Sequence, residues 1–417
     1  MFILTLKSFR NRKFTTLLTI VSIALSVTLL LGVERIRKEA KAGFTHTISG
    51  TDLIVGARSG PVQLLLYSVF RIGNATNNIS WQSYQEIARH PAIKWTIPIS
   101  LGDSHKGYRV MGTNADYFTY FCYADQRRLT IFKGRIFQGV YDAVLGADVA
   151  RKLGYHLNDR ITLSHGAGKV SFIQHTDKPF KVVGILKKTG TPVDQTVHVC
   201  LEGIEAIHID WKEGVPIAGR SISAKKALKM DLSPRLITAF MVGLRSRIAA
   251  FRVQRYVNEY DEEPLLAILP GVALAQLWNL IGVAEKALLV VSGFVVIVGL
   301  SGMLIALLTS LHQRRREMAI LRSVGARPLD IFALIVGESA LLTAAGIVTG
   351  MAMLYGLLLV GRPLILSGFG LFISINGFTL YELLLIAIVG LTGLLIGVIP
   401  GYQIYRYSLA DGMTIKL

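Results

Sequence analysis

The basic segment at residues 312–331 has the most distinctive side-chain pattern in the sequence, and its chemistry is that of binding rather than catalysis. It directly follows a long apolar run and contains three consecutive arginines, Arg314–Arg316. Clustered positive charge is costly to move across a membrane, so we expect the segment on the cytoplasmic side. Its apolar residues recur at helical spacing and predict one face against lipid or protein, with Arg322 pointing away. They are Met318, Ile320, Leu321 and Val324.

A second candidate site consists of two residues on one predicted strand whose side chains are of types that bind metals. His198 and Cys200 alternate along the chain and so face the same side, and His208 and Asp210 follow. Imidazole and thiolate are zinc ligands, but this spacing is not diagnostic, and a strand histidine beside a small buried cysteine is the commoner outcome. Cys122 is the other cysteine of the sequence, so the two thiols either form one disulfide or stay free.

Glu338 is an ionisable residue inside a predicted membrane span. Burying a carboxylate in lipid is expensive, which makes the residue a functional candidate. It lies about two turns from the cytoplasmic interface, where Arg322 or Arg327 could satisfy it. We favour a structural role for Glu338 in coupling over a proton relay.

An apolar run occupies residues 62–70, where a polar loop between a strand and a helix is expected. Exposed apolar loops mark partner sites, so the run is a candidate partner loop; alternatively, it folds back onto the core. Its candidate residues are Leu64, Leu65, Leu66, Tyr67 and Phe70.

A nucleotide-binding motif is missing from the sequence. Gly166–Lys169 lacks the upstream glycine and the following Ser or Thr of a phosphate-binding loop. No set of side chains with the spacing of a catalytic site stands out either. We therefore expect a non-catalytic chain that binds no cofactor, and any ATP and Mg²⁺ would be bound by a partner subunit.

Four uninterrupted apolar runs predict a membrane protein, in keeping with 52% hydrophobic residues and a mean hydropathy of +0.48. The runs are residues 15–33, 287–311, 332–360 and 383–402. Basic residues in the short flanking segments place both termini and the basic segment in the cytoplasm. Residues 34–286 and the loop at 361–382 then lie outside, and residues 1–14 and 403–417 form a cytoplasmic amphipathic helix and tail.

The predicted fold class is an α+β membrane protein with four transmembrane helices and a large α/β domain between the first two. Residues 34–113 and 232–270 read as two βαβ-like halves of one split ferredoxin-like subdomain, with a turn at Gly102–Asp103. Ser80 is the predicted N-cap of the helix in the first half. In the second half, helical spacing predicts a face that packs on a sheet, made of Ile248, Phe251, Val253 and Val257. Residues 114–231 read as a β-rich insertion, and 272–286 as a helical stalk. The outer domain has a net positive charge, which suits anionic neighbours such as lipid headgroups or an acidic partner.

Small residues recur at close spacing within the spans. The pairs are Gly346 and Gly350, Gly393 and Gly397, Gly299 and Gly302, and Ser22 and Ser26. Such spacing lets helix backbones approach closely. These pairs serve either dimerisation or packing within one subunit.

The basic segment resembles the coupling helix of permeases in the MacB/FtsX/LolC group of ABC transporters. Their pattern is roughly Arg-x-x-Glu-(Ile/Met)-(Ala/Gly)-(Ile/Leu)-Leu-Arg-(Ala/Ser)-(Ile/Leu/Val)-Gly-Ala. The ATPase-coupling residues that the resemblance implies are Arg314, Arg315, Glu317, Met318, Leu321, Arg322, Gly325 and Ala326. The size of the outer domain resembles that of MacB- and LolC-like members rather than FtsX, and a glutamate at position 338 is common in the group.

This resemblance implies a permease subunit of the bacterial inner membrane that couples ATP hydrolysis to motion of its outer domain. Its expected partners are two copies of an ABC ATPase, a second permease copy or paralogue, membrane lipid, and a periplasmic protein or lipoprotein; nucleic acid is not expected. Two alternatives remain. One is a membrane-anchored binding or scaffold protein without an ATPase, and the other is a zinc-linked envelope transporter. The substrate is left open.

Overall fold

The computed structural model describes residues 12–166, 175–212, 215–216, 222–313, 315–369 and 377–406. The chain forms two compact units. The helical unit contains Met1–Glu39, Ile281–Gly368 and Ile373–Leu417, and the sheet domain contains Ala40–Leu280 with Phe369–Phe372. The predicted N-terminal amphipathic helix up to residue 11, and the tail from residue 407, lie outside the described residues.

Twelve helices are found in the described residues. In chain order they are α1 (Lys13–His46), α2 (Pro61–Leu65, continued by a π-helical turn at Leu66–Phe70), α3 (Trp81–Ala88), α4 (Asp116–Tyr120), α5 (Ala147–Leu153), α6 (Leu201–His208), α7 (Ala224–Ala227), α8 (Ala250–Asn258), α9 (Pro270–Gln313), α10 (Arg315–Ser323), α11 (Pro328–Phe369) and α12 (Leu380–Arg406). Short 3₁₀ turns lie at Pro192–Gln195 and Arg247–Ala249.

Helices α1, α9, α11 and α12 are long and apolar enough to cross a membrane. Four spans were predicted, and each helix is longer than its predicted span. The first helix shows why. Its apolar run ends at Val33, but residues 34–41 are mostly good helix formers without Gly or Pro, so the helix continues to His46.

The strands belong to the sheet domain. In chain order they are β1 (Leu53–Ala57), β2 (Ile79–Ser80), β3 (Ile93–His105), β4 (Tyr108–Thr113), β5 (Cys122–Tyr123), β6 (Arg127–Arg128), β7 (Ile131–Gly134), β8 (Asp142–Leu145), β9 (Arg160–Ile161), β10 (Ser164–His165), β11 (Phe180–Leu186), β12 (Thr196–Cys200), β13 (Trp211–Lys212), β14 (Val215–Pro216), β15 (Leu236–Ile237), β16 (Ala239–Leu244) and β17 (Leu265–Ile268). Eleven form one sheet, ordered β17-β1-β16-β3-β4-β12-β8-β11-β7, with β10 beside β3 and β9 beside β11.

One end of this sheet is an antiparallel four-stranded unit, β17-β1-β16-β3. With helices α3 and α8 its chain order is β-α-β-β-α-β, the order of a ferredoxin-like unit. The predicted N-cap of α3 is confirmed, because the Ser80 hydroxyl accepts a hydrogen bond from Ser83 N at 3.1 Å. Both helices bury apolar side chains against the sheet, including Ile87 of α3 and Val253 of α8.

The predicted apolar face of α8 is only half correct. We expected Ile248, Phe251, Val253 and Val257 to pack on the sheet. Val253 and Val257 are buried, whereas Ile248 and Phe251 are 92% and 72% exposed. A 3₁₀ turn precedes α8 and changes the helical phase of Ile248, and Phe251 lies roughly 160° around the helix from Val253.

Strand β3 links the ferredoxin-like unit to the insertion, and here the predicted turn at Gly102–Asp103 is wrong. The strand continues through these residues, and the pairing register with β4 shifts between Leu101 and Ser104. The chain reverses later, at Lys106 and Gly107, whose φ angles are 47° and 85°. Two consecutive positive φ values are typical of a tight two-residue hairpin turn. One 13-residue strand therefore pairs with β16 in its first half and β4 in its second.

In the helical unit, small residues bring α1 against α11 and α9. A methyl group added at Gly346 would lie 2.5 Å from Ile23, and one added at Gly350 would lie 2.7 Å from the Ala24 carbonyl oxygen. A methyl group at Gly299 would lie 2.6 Å from the hydroxyl of Ser26. Two of the predicted small-residue pairs, Gly346 with Gly350 and Ser22 with Ser26, thus contribute to packing within one chain. Of the third pair only Gly299 does, because a methyl group added at Gly302 would have no neighbour within 4 Å.

Helices α11 and α12 meet in the same way. Added methyl groups at Gly393 and Gly397 would collide with Thr343 and Ser339. The Ser339 hydroxyl donates a hydrogen bond to the Gly393 carbonyl at 3.1 Å, which the close approach permits. These glycines are occupied by contacts inside the chain, so they do not support dimerisation.

Topology can be tested with single cysteines at two exposed positions, Lys106 in the hairpin and Val324 after α10. In a Cys122→Ala, Cys200→Ala background, we expect a membrane-impermeant maleimide to label Lys106→Cys in intact spheroplasts. Val324→Cys should be labelled only after the membrane is permeabilised. Equal labelling of the two variants in intact spheroplasts would contradict the topology.

Candidate functional site

Helix α10 of the basic segment ends in a fixed turn. The Ala326 amide donates to the Leu321 carbonyl at 3.0 Å, and the Gly325 amide donates to the Arg322 carbonyl at 3.1 Å. This pair of bonds is a Schellman motif, with glycine at the residue of positive φ, here 108°. The Gly-Ala pair of the sequence pattern therefore stops the helix at a defined residue.

The next helix, α11, begins equally sharply. Pro328 occupies its first turn, where the missing N–H costs nothing. The Asp330 carboxylate accepts a hydrogen bond from the Arg327 amide at 2.8 Å, the reciprocal bond of a capping box. With both ends capped, the connection between α10 and α11 has a single geometry.

The apolar residues of α10 do not share one face, which corrects the prediction. Met318 is buried and Leu321 packs beside it, whereas Ile320 and Val324 are 62% and 83% exposed. At 3.6 residues per turn, Ile320 lies roughly 160° from Met318 but only roughly 40° from Val324. The buried face contacts apolar residues of α9, α11 and α12: Leu311, Ile331, Leu334, Ile335 and Ile404.

The structure describes only some of the remaining predicted coupling residues. Arg322 and Ala326 are half-buried, and Gly325 is exposed. Arg314 and the side chains of Arg315 and Glu317 lie outside the described residues, so their roles stay predictions.

Glu338 lies directly beside the buried face of α10. Its side chain is buried, and it shares a small cavity with Met318 of α10 and Ile335 one turn earlier in α11. The other lining residues are from α9: Leu307, Ser310 and Leu311. A carboxylate thus lies where α9, α10 and α11 meet. Its predicted contacts with Arg322 or Arg327 stay predictions.

The candidate partner loop is part of the core, so the partner-site interpretation is wrong. Helix α2 and its π-helical turn bury all the candidate residues except Leu66, which is half-buried: Leu64, Leu65, Tyr67 and Phe70. They pack around Gly56, where an added methyl group would lie 2.5 Å from Leu64 and 2.6 Å from the Tyr67 hydroxyl. The helix is apolar over most of its surface and exposes Gln63, so burial of its apolar part is the stable arrangement.

His198 and Cys200 do not form a metal site with other described ligands. The His198 side chain is fully buried, with Nδ1 3.2 Å from the Val144 carbonyl oxygen and its ring stacked on Tyr117. Burial lowers the pKa of His198 to about 3 and raises the pKa of Cys200 to about 12. Cys122 and Cys200 are both free thiols. His198 and Cys200 are therefore a buried structural pair and not metal ligands.

The structure instead brings together Asp103, His165 and His208, the one group of described residues able to hold a metal ion. Asp103 Oδ1 lies 3.3 Å from His165 Nδ1 and 3.5 Å from His208 Nε2, and the two nitrogens are 3.2 Å apart. Asp210, which the sequence had grouped with His208, instead binds Lys178 at 2.8 Å.

Electrostatics tie the three side chains together. Burial raises the pKa of Asp103, but the nearby imidazoles of His165 and His208 outweigh it and lower that pKa to about 2. Burial lowers the pKa of His208, but its contact with the Asp103 carboxylate outweighs it and raises that pKa above the ordinary value. No local sequence signal predicts this cluster, because its members come from three separate elements.

Comparison with known proteins links both units to one protein class. A family model described as a MacB-like periplasmic core domain matches residues 16–222. A second, described as the FtsX-like permease C-terminal, matches residues 289–409, which include α10 and Glu338. Together the two matches cover most of the chain.

Individual relatives are distant. An uncharacterized ABC transporter permease of Methanocaldococcus jannaschii is 27% identical over 242 residues, which are 55% of this chain and 52% of that protein. The match therefore spans about half the length of this curated relative.

Two solved structures also resemble the chain. The periplasmic region of MacB from Actinobacillus actinomycetemcomitans is 11% identical, with a TM-score of 0.33, over 56% of this chain and 95% of that one. The extracellular domain of the noncanonic ABC-type transporter YknZ from Gram-positive bacteria is 13% identical, with a TM-score of 0.30, over 52% of this chain and 98% of that one.

The buried state of His198 predicts a measurable dependence of stability on pH. Its folded pKa of about 3 lies below the ordinary value of 6.5, so below pH 6.5 the unfolded chain takes up a proton that the folded chain does not. This contribution to stability is present above pH 6.5 and is lost as the pH falls towards 3, by about 1.4 kcal/mol per pH unit. Between pH 6.5 and 5, we expect the free energy of unfolding of His198→Phe to fall less steeply than that of the wild type. The difference in slope should be about the value given above.

The measurement is urea unfolding of the purified chain, followed by tryptophan fluorescence. All four tryptophans lie in the sheet domain, so the signal reports its unfolding. His156→Phe, at an exposed position, is the control and should retain the wild-type slope. An unchanged slope in His198→Phe would show that His198 is not held neutral.

Proposed function

The chain belongs to the MacB/FtsX-type permeases of ABC transporters, and from that membership we propose that it couples ATP hydrolysis by a separate ATPase subunit to motion of its sheet domain. It is a multi-pass protein of the inner membrane, and residues 34–286 form the segment outside it. A permease of this class implies an ATPase partner. We further propose two ATPase copies that bind ATP and Mg²⁺, together with a second permease copy or paralogue.

The exposed apolar pair on α10 carries this proposal. Ile320 and Val324 lie on the face opposite Met318, on the cytoplasmic side of the membrane. Two large aliphatic side chains exposed next to each other on a short capped helix form a candidate protein-docking patch. Without an ATPase this patch would face water or lipid headgroups, so its exposure supports the transporter over the scaffold alternative.

The opposite face of α10 is suited to pass on force. Met318 and Leu321 pack on the cytoplasmic ends of α9 and α11, and the capped turn fixes α10 to α11. A packed core is close to incompressible, so a displaced α10 would move these helix ends instead of sinking into them. Glu338 lies at this junction, which supports a role for it in coupling.

Two helices are long enough to carry the motion out of the membrane. Helix α1 is continuous for 34 residues and α9 for 44, which correspond to about 51 and 66 Å. Each contains residues of both units without a break in the helix. Since a continuous helix transmits tilt, movement at the cytoplasmic ends would reach the sheet domain.

An ion cluster ties three spans together at their outer ends. Arg37 lies 2.6 Å from Glu34 and 3.8 Å from Glu285 of α9, and Arg35 lies 4.0 Å from Glu382 of α12. The side chains of Arg35 and Glu382 are almost fully buried. Removal of one member of a buried pair is costly, so the cluster favours joint movement of α1, α9 and α12.

In this mechanism the sheet domain does work on a substrate outside the bilayer: an exported compound, a lipoprotein or an envelope component. Close glycine contacts hold α1 against α11 and α11 against α12, which suits helices that tilt together rather than line a pathway. A periplasmic protein or lipoprotein is the expected outer partner.

Docking should depend on the exposed face of α10. We expect Ile320→Asp and Val324→Asp each to weaken binding of the ATPase about 10–100-fold, because a carboxylate would have to be buried at the interface. Affinity is measured with the purified chain in detergent. Phe251→Asp is the control, since it introduces the same charge at an exposed apolar residue of the sheet domain. Unchanged affinity in both α10 variants would exclude this face as the docking site.

Transmission should depend on unbroken helices. We expect Gly-Pro insertions after Lys41 in α1 and after Gly282 in α9 to preserve ATPase binding and hydrolysis but abolish the nucleotide-dependent distance change between spin labels at Lys106 and Leu380. The same insertion after Asp125, in an exposed turn, is the control. A normal distance change with both helices interrupted would refute mechanical coupling.

A further inference from the structure

We propose that Asp103, His165 and His208 bind a divalent transition-metal ion, zinc above all, on the sheet domain. The proposal is independent of ATPase coupling, because it rests on three side chains of the sheet domain alone. It also assigns zinc binding to residues other than His198 and Cys200, the pair that the sequence suggested.

The three ligand atoms already have the spacing of a metal site. They are separated by 3.2, 3.3 and 3.5 Å. In tetrahedral zinc sites with bonds of about 2.0–2.1 Å, neighbouring ligand atoms lie about 3.3–3.4 Å apart. An ion could therefore contact all three atoms with only small side-chain shifts. Three protein ligands leave the fourth position for water.

His208 is oriented as a metal ligand requires. Its Nδ1 lies 2.9 Å from the Ile204 carbonyl oxygen one turn earlier in α6. A carbonyl can only accept, so Nδ1 carries a proton, and Nε2 is the nitrogen that faces Asp103 and would bind an ion in place of its own proton. A backbone carbonyl on the second ring nitrogen is the usual outer-shell partner of a zinc-bound histidine.

The backbone positions the other two ligands. Asp103 and His165 are directly opposite each other on β3 and β10. Asp103 comes at the register shift of β3, the feature that replaced the predicted turn. Bulges in strands often redirect a side chain towards a functional site.

The carboxylate of Asp103 is incompletely satisfied without a cation. It is 3% exposed, and its Oδ1 has no hydrogen bond of good geometry within the described part of the chain. Its contacts with the two imidazoles, at 3.3 and 3.5 Å, are long for charge-assisted hydrogen bonds, and a bound divalent cation would replace them with direct coordination. Solvent can reach the site, because the side chains of His165 and His208 are 40% and 23% exposed.

Aromatic rings form one wall of the site. The Trp211 ring centroid lies 4.9 Å from that of His165 and 5.1 Å from that of His208, and His175 stacks edge-on against His208 at 5.0 Å. Apolar walls lower the local dielectric and strengthen the attraction between ion and ligands. A bound ion would fasten β3, β10 and α6 to one another.

The test is a titration of the full-length, tag-free chain in detergent, first stripped with a chelator, with zinc sulfate alone. We expect one zinc per chain, and visible d–d bands of tetrahedral coordination when cobalt replaces zinc. His165→Ala and His208→Ala should each weaken binding by at least about 100-fold, beyond the range for loss of an outer-shell partner. A zinc concentration about 100 times the Kd should raise the melting temperature of the sheet domain by about 5–10 °C.

Two further variants separate ligation from folding. His208→Cys keeps a zinc ligand at the position and should retain binding with a shifted cobalt spectrum, whereas an exposed-surface control, His156→Ala, should bind like wild type. Zinc bound equally well by His165→Ala, His208→Ala and the wild type would overturn the proposal and assign binding to surface histidines. Absence of zinc binding to the folded wild type would overturn it as well.

Discussion

Close approach of helix backbones is the constraint on which the helical unit depends. Lipid provides little hydrophobic driving force between helices, so association relies on packing and on hydrogen bonds between helices. Gly346 and Gly350 bring α1 onto α11, and Gly393 and Gly397 bring α12 onto α11. Helix α11 is thus the centre of the unit, and it is also the helix to which the capped turn fixes α10. The proposed coupling function needs such a rigid element where α10 joins the helical unit.

The sheet domain relies on a comparable shared element, strand β3. Its first half completes the ferredoxin-like unit, and its second half begins the insertion. The two parts are therefore one hydrogen-bonded sheet, and a movement of the ferredoxin-like unit would carry the insertion with it. The register shift that joins the halves also presents Asp103 to His165, so the candidate metal site lies beside the joint. An ion there would stiffen the connection between the two parts.

The basic segment shows how one short helix can present two different surfaces. Met318 and Leu321 anchor α10 to the helical unit, while Ile320 and Val324 remain exposed on the opposite side. Apolar spacing alone suggested one face, because helical periodicity tolerates a broad stripe. The tertiary contacts divide that stripe into an anchored part and an exposed part. Gly325 and Ala326, which belong to the sequence pattern, donate the hydrogen bonds that end the helix.

The sequence by itself determined what depends on neighbours along the chain: four spans from apolar length, the Ser80 cap, and the mixed helix and strand content of the domain between the first two spans. It also predicts sidedness from flanking charge. It could not decide questions that depend on residues far apart. Residues 64–70 were ambiguous until β1 covered them, and the glycine pairs were ambiguous until their partners were known. Asp103, His165 and His208 are separated by 43 residues or more and converge only through strand pairing and the end of α6. Local pattern encodes secondary structure and membrane insertion, whereas the geometry of a site comes from long-range packing, which no window of sequence contains.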